Sequence, residues 1–247
     1  MKRIIIGAAI LAAALCTTSC RFIKLDDSKF GGFNDNLDIK IGDSYIAKET
    51  IKGSDKEVKK VFSDLDKIVA LTIDGNAEIT IKQSENTELS VELPENLQDY
   101  LKFEYGASAC KIYLDKAYKY TNAKFDIVLG TSDIEYLTVN GAADIEMQRM
   151  LLRDFELEIN GAGDVDMNHI TCGDLTIEIN GAGEIDAQEM DCKDIDLEIN
   201  GAGEIDLGGR CANVDVEVNG TGSIDLTRLE CSGRKNAKRS GLVSIKQ

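Results

Sequence analysis

One short element recurs down the second half of the chain: Asn140-Gly141-Ala142-Ala143, Asn160-Gly161-Ala162-Gly163, Asn180-Gly181-Ala182-Gly183, Asn200-Gly201-Ala202-Gly203 and Asn219-Gly220-Thr221-Gly222. The spacings are 20, 20, 20 and 19, and fainter copies stand at Asp74-Gly75-Asn76-Ala77 and Ser240-Gly241-Leu242-Val243. A fixed period of this length marks an architecture made by stacking one unit, not a single closed core. Within a copy the apolar residues alternate, as in Leu175/Ile177/Ile179 before the Asn and Ile185/Ala187 after the glycines. That is the period of a strand, so a copy reads as short strands joined by corners. The Asn-Gly dipeptide is expected to supply a corner, because both residues tolerate positive φ.

A lone copy would leave its backbone unpaired and its apolar face wet. Stacking copies with parallel strands about 4.8 Å apart cures both defects. The expected fold is all-β: a right-handed parallel β-helix (β-solenoid) with rungs of about 20 residues over 131–247, preceded by a β-rich N-terminal cap over 57–130. The handedness comes from the general preference of parallel crossovers. Stacking would also file like side chains, giving an Asn ladder from Asn140, Asn160, Asn180, Asn200 and Asn219. The last copy carries Ala237 and Arg239 at inward positions, which would blunt the open end of the stack.

Charge is unevenly placed. The net charge is −16, yet residues 131–232 hold 24 acids against 5 basic residues, and 233–247 hold 5 basic residues and no acid. Phosphate backbones need clustered Lys and Arg, so nucleic acid is excluded as a partner. A single histidine, His169, leaves little room for imidazole-based catalysis or multi-histidine metal sites, and its place beside the inward Ile170 points it outward.

The N-terminus reads as an address. Met1-Lys2-Arg3 followed by apolar Ile4 to Leu15 fits a secretory signal peptide and is short for a membrane span. The following Leu15-Cys16-Thr17-Thr18-Ser19-Cys20 resembles a bacterial lipoprotein signal, with Thr17 where Leu is usual. The resemblance implies cleavage after residue 19, lipidation of Cys20, a membrane partner through that anchor, and an outer-membrane lipoprotein of the cell envelope. Residues 20–56 are polar and read as a tether.

The repeated Asn-Gly-Ala-Gly-[Asp/Glu]-[Ile/Val]-Asp element follows Leu65-Asp66-Lys67-Ile68, Glu78-Ile79-Thr80-Ile81-Lys82-Gln83 and Leu93-Pro94-Glu95-Asn96-Leu97. Together these resemble the head GIN domain family of auto-transporter adhesins, over about Val61 to Lys246. The resemblance implies a solenoid-like all-β fold, an adhesin role and no catalytic residues. Asn stands where many members carry Ser, and the Cys column is a further departure.

Two outward columns are the candidate binding surface: Glu158, Glu178, Glu198 and Glu217, and Asp166, Asp186, Asp206 and Asp225. Clustered carboxylates suit hard cations or a basic partner, and equally make a solvated face that resists aggregation. A calcium repeat needs paired half-turns, whereas Gly-Ala-Gly comes once per 20 residues and Val165 interrupts the acids, so no cofactor is expected and Ca²⁺ stays a remote alternative. Cys172, Cys192, Cys211 and Cys231 recur in register without a Cys-x-x-Cys pair or a His column, which argues against zinc and leaves buried thiols or bridges. The reading is a non-enzymatic envelope lipoprotein, an adhesin or binding module for a protein or glycan. Its alternatives are a structural envelope component and, more remotely, a polysaccharide-acting β-helix enzyme.

Overall fold

The structure, a computed structural model, describes residues 40–41, 44–45, 49–62 and 65–246. The signal peptide 1–19, Cys20 and most of the tether lie outside the described residues. The described chain is all-β apart from one 3₁₀ turn at Glu95–Leu97.

The repeats do what alternation demands of them. Strand β12 (Tyr136–Leu151) pairs in parallel with β13 (Phe155–Cys231), Asn140 opposite Asn160 and Ile145 opposite Val165. β13 is continuous extended chain that turns on itself, so that Asn160, Asn180, Asn200 and Asn219 come to lie one above another. The last strand, β14 (Lys235–Lys246), pairs in parallel with the preceding turn from Val214–Lys235 to Asp225–Lys246. Every second side chain faces in: Leu157, Ile159, Ile177, Ile179, Leu197, Ile199 and Val218 are fully buried.

Below β12 the chain departs from simple coiling. β5 (Ala70–Asp74) and β6 (Asn76–Gln83), hinged at Gly75, together form a rung in parallel register with β12. β9 (Ala109–Leu114) and β11 (Lys124–Thr131) form the rung beneath that one. The chain therefore lays the β5–β6 rung, descends to lay a lower one, and returns to start the repeats.

Antiparallel pairing enters toward both edges of this sheet, where β7 (Glu88–Pro94) and β8 (Leu101–Gly106) run against the rungs. β7 is antiparallel to β11 and to β4 (Glu57–Phe62), and β8 is antiparallel to β9. Hence the sheet is mixed and curled, not the parallel sheet expected of a β-helix, and its antiparallel pairs involve strands of the segment expected to be a β-rich cap. The physical reason at β8–β9 is local: two residues, Ala107 and Ser108, join the strands, both at positive φ (52° and 65°). Such a two-residue turn can only make an antiparallel hairpin.

Two short pairs complete the description. β1 (Lys40–Ile41) is antiparallel to β2 (Ser44–Tyr45), and β3 (Thr50–Lys52) is parallel to β10 (Lys119–Thr121). Within the segment read as a tether, residues 49–56 are thus bonded to the cap. Gly53 N–H donates to Thr121 O (2.8 Å), and Asn96 Nδ2 donates to Lys52 O (2.9 Å).

Candidate functional site

The Asn-Gly corner divides the labour between its two residues. Only the glycine takes positive φ, with 151° at Gly161, 150° at Gly181 and 147° at Gly201, so the expectation that Asn shares this role is corrected. A Cβ on Gly181 would overlap the carbonyl oxygen of Gly161, and the same holds up the column. Backbone stacked this closely admits no side chain.

The Asn contributes its amide instead. Asn160 Nδ2 donates to Asn140 Oδ1 (3.1 Å), Asn180 to Asn160 (3.2 Å), Asn200 to Asn180 (3.1 Å) and Asn219 to Asn200 (3.0 Å). At the foot of the ladder Asn140 Nδ2 donates to the Asp74 carboxylate (2.8 Å). Burial disfavours the Asp74 charge, but the bonds from Asn140, Lys116 and Lys111 outweigh it and hold the carboxyl at about 2. The ladder thus starts on a group that can only accept.

A second corner falls at His169, the residue the sequence points outward. Arg149, His169 and Glu189 sit at φ 54°, 57° and 53°, and Gly209 stands in the same place at 118°. His169 is exposed there, with Nε2 2.7 Å from Glu189 Oε2.

The structure brings each predicted acidic column together by register. Glu146 lies opposite Asp166, Thr138 opposite Glu158, Glu217 opposite Lys238 and Asp225 opposite Lys246. The Glu column is partly spent on the chain itself: Asn160 Nδ2 donates to Glu158 (2.9 Å) and Asn180 Nδ2 to Glu178 (2.9 Å). On the other side of the corner there is a column that residue reading missed, Asp144, Asp164, Glu184 and Glu204, although it is the acidic position of the repeated motif itself. It runs beside Glu146, Asp166, Asp186, Asp206 and Asp225, two residues on and facing the same way. Two files of carboxylates therefore make one strip.

Cations stand at the ends and flank of this strip. Lys124 Nζ reaches Glu78 and Asp144 (3.0 Å each) at the foot, Lys246 reaches Asp225 (3.2 Å) at the head, and Arg228 pairs with Asp206. Near the head a recess of about 230 Å³ is lined by Glu184, Asp186, Glu204, Asp206, Asp225 and Lys246. Mid-strip, burial and the charges of Asp144 and Asp166 push the Asp164 carboxyl up. At the head, bonds from the Thr227 hydroxyl and amide, with Lys246, hold Asp225 at about 2 despite some desolvation. Asp206 Oδ1 is buried without a hydrogen-bond partner. Among the described residues no group of three or more His, Cys, Asp or Glu is arranged to hold a metal ion.

The cysteine column lies inside the coil as free thiols: Cys172, Cys192 and Cys211 are buried and Cys231 is half-buried. Away from the repeats, Tyr100, Tyr118 and Tyr120 cluster with ring centroids 5.1, 5.9 and 6.4 Å apart.

Comparison with known proteins follows this geometry. Residues 69–241 match the family described as "Putative auto-transporter adhesin, head GIN domain". The chain belongs to the head GIN domain family. The matched stretch takes in the β5–β6 rung, the lower rung and nearly all of the repeats. A crystal structure described as a putative lipid binding protein from Parabacteroides distasonis is similar to this chain with a TM-score of 0.68 and 18% identity, covering 81% of this chain and 100% of that one. A putative adhesin from Bacteroides fragilis gives a TM-score of 0.50 and 18% identity, covering 79% and 99%. At these identities the likeness is one of fold. No curated protein shows significant sequence similarity to the chain.

Proposed function

We propose that this head GIN domain protein is a non-enzymatic binding module of the bacterial cell envelope, an adhesin that presents its acidic strip to a basic partner. The observation that carries the reading is the pair of adjacent carboxylate files, Asp144/Asp164/Glu184/Glu204 beside Glu146/Asp166/Asp186/Asp206/Asp225, repeated rung after rung. Like charges spaced about 4.8 Å apart repel by roughly 0.9 kcal/mol per pair in bulk water, and more where a wall excludes solvent. Burial first, and then the charges of Asp144 and Asp166, push the Asp164 carboxyl up. A cationic ligand laid along the strip relieves the repulsion.

In this reading the finer fold is a right-handed parallel β-solenoid closed by antiparallel strands at its N-terminal end. The chain is anchored through lipid on Cys20, held off the outer membrane by residues ahead of β3, and exposed outside the cell. Adhesin-family relatives support an extracellular or envelope location. Among the described residues no helix is long and apolar enough to cross a membrane.

A Lys-rich peptide titrated against the full chain tests the strip. Saturable, salt-sensitive binding is expected, weakened at least tenfold when Asp164, Glu184, Asp186 and Glu204 are changed together to their amides. Equal affinity in the two proteins, with unchanged circular dichroism, rules the strip out as the site. Protease shaving of intact cells tests exposure, and a protein left whole is not a surface adhesin. Loss of a metabolically incorporated fatty-acid label in Cys20→Ser tests the anchor.

One observation favours a second reading, a structural envelope component. The Glu158 and Glu178 carboxylates are committed to the Asn ladder, so this face serves the chain's own cohesion. Co-purification with envelope proteins, together with resistance to shaving, is its signature.

A further inference from the structure

We propose that Cys211 and Cys231 form a disulfide between neighbouring rungs, made by exchange with an external disulfide. The backbone sets them side by side. Ser232 N–H donates to Cys211 O (3.1 Å) and Gly233 N–H to Ala212 O (2.8 Å), the pattern of parallel neighbours at positions 211 and 231. Parallel neighbours lie about 4.8 Å apart, inside the Cα separation that disulfides span. The two sulfurs are already 2.8 Å apart, so the bond can close by side-chain rotation with little change in the backbone.

The other thiols do not compete. Among the described residues, the sulfur–sulfur contact within hydrogen-bond reach is that of Cys211 with Cys231. Cys110 lies on β9 opposite Leu71, in a separate rung. Access is graded in the useful direction: Cys211 is 7% exposed, whereas Cys231 is half-buried near the open end of the stack. Burial, with the contact to Cys231, pushes the Cys211 thiol up to about 12, while the Lys235 ammonium works the other way. Cys231 is therefore the entry point and Cys211 the resolving thiol.

The exchange balances. The Cys231 thiolate attacks one sulfur of R–S–S–R, forming Cys231–S–S–R and releasing RS⁻, which takes the proton Cys231 gave up. The Cys211 thiolate then attacks Cys231 Sγ and expels the second RS⁻, protonated in turn. Two protein S–H bonds are lost, one S–S bond is gained, and the two electrons leave in two R–SH. An envelope location is where such bonds persist, but the chemistry and its test do not depend on that reading or on the acidic strip. The staple closes the last complete turn of β13, next to the strand that has no further rung to lean on.

The full chain is incubated with oxidised glutathione, unfolded in a maleimide, digested without reduction and mapped by mass spectrometry. The expected product is one linked peptide pair joining Cys211 to Cys231, two hydrogens lighter than the separate thiol peptides, with Cys110 alkylated. Alkylation of both Cys211 and Cys231, a glutathione adduct left on Cys231, or a bridge from Cys211 to Cys192 each overturns the proposal. In Cys231→Ser, with circular dichroism unchanged, Cys211 is expected to become alkylated. Continued protection of Cys211 there overturns it equally.

Discussion

The glycine of each corner is held by two independent constraints, and either alone would exclude another residue. Its φ lies near 150°, and the space where a Cβ would sit is filled by the carbonyl of the rung below. Gly181→Ala is expected to destabilise the protein by about 3 kcal/mol or more, since it combines backbone strain with a clash that the neighbouring rung cannot yield to. A urea denaturation midpoint unchanged from wild type would contradict that account. Asp74 is the residue where pH enters. Its carboxyl is held at about 2, below the ordinary value of 3.8, by Asn140 and two lysines. A depressed carboxyl contributes stability above its unfolded value and loses it as pH falls through the folded one. Asp74→Asn is therefore expected to cost on the order of 1 kcal/mol near neutrality, with the gap to wild type closing between about pH 4 and pH 2. A gap that is constant across that range would show that the charge is not what matters.

The last strand shows how an element can end a stack. β14 keeps parallel register with the turn before it, yet its inward positions are Lys235, Ala237 and Arg239, opposite Val214, Val216 and Val218. The two cations bend back onto carbonyls: Lys235 Nζ reaches Leu226 O (2.7 Å) and Leu229 O (3.0 Å), and Arg239 bonds to Val243 O. They cover the apolar interior and place charge where another strand would otherwise add. Replacing both Lys235 and Arg239 with Val should extend the apolar face to the open edge. The expected outcome is concentration-dependent self-association in sedimentation velocity, absent from wild type under the same conditions. A variant that sediments as wild type does would mean that the edge is blunted by other means, such as its exposed Lys238 and Lys246.

On the scale of the molecule, each repeat touches chiefly its neighbours, so the stack should tolerate loss of one whole unit. Deleting residues 181–200 joins Asn180 to Gly201 and leaves the corner, the Asn ladder and the inward files in register. That protein is expected to fold with an unchanged strand signature in circular dichroism and a lower denaturation midpoint, one interface poorer. Deleting only 181–190 removes half a period and turns inward residues toward the corner, and is expected to abolish cooperative unfolding. If the two deletions behave alike, nearest-neighbour stacking is not what stabilises the fold.

The repeats could be read from sequence because their physics is local and periodic. Alternation at two separates Ile177 and Ile179 from Glu178, and a period of 20 forces Asn onto Asn whatever lies elsewhere. The same periodicity exposed the Glu and Asp files, and a closer look at the motif's own acidic position would have exposed the file of Asp144 and Asp164. The cap was legible only as β-rich. Nothing in its alternating segments says that β5–β6 pairs with a strand 66 residues further on, that the chain lays β9 and β11 beneath it first, or that β4, β7 and β8 run antiparallel. Those pairings join residues distant in sequence without a repeated signature, and only the packed structure chooses among the partners that alternation allows. Sequence alone thus determined the stack, since its contacts repeat the period of the chain. Tertiary structure decided how the stack begins, because there each strand's partner is set by shape and burial and no period names it.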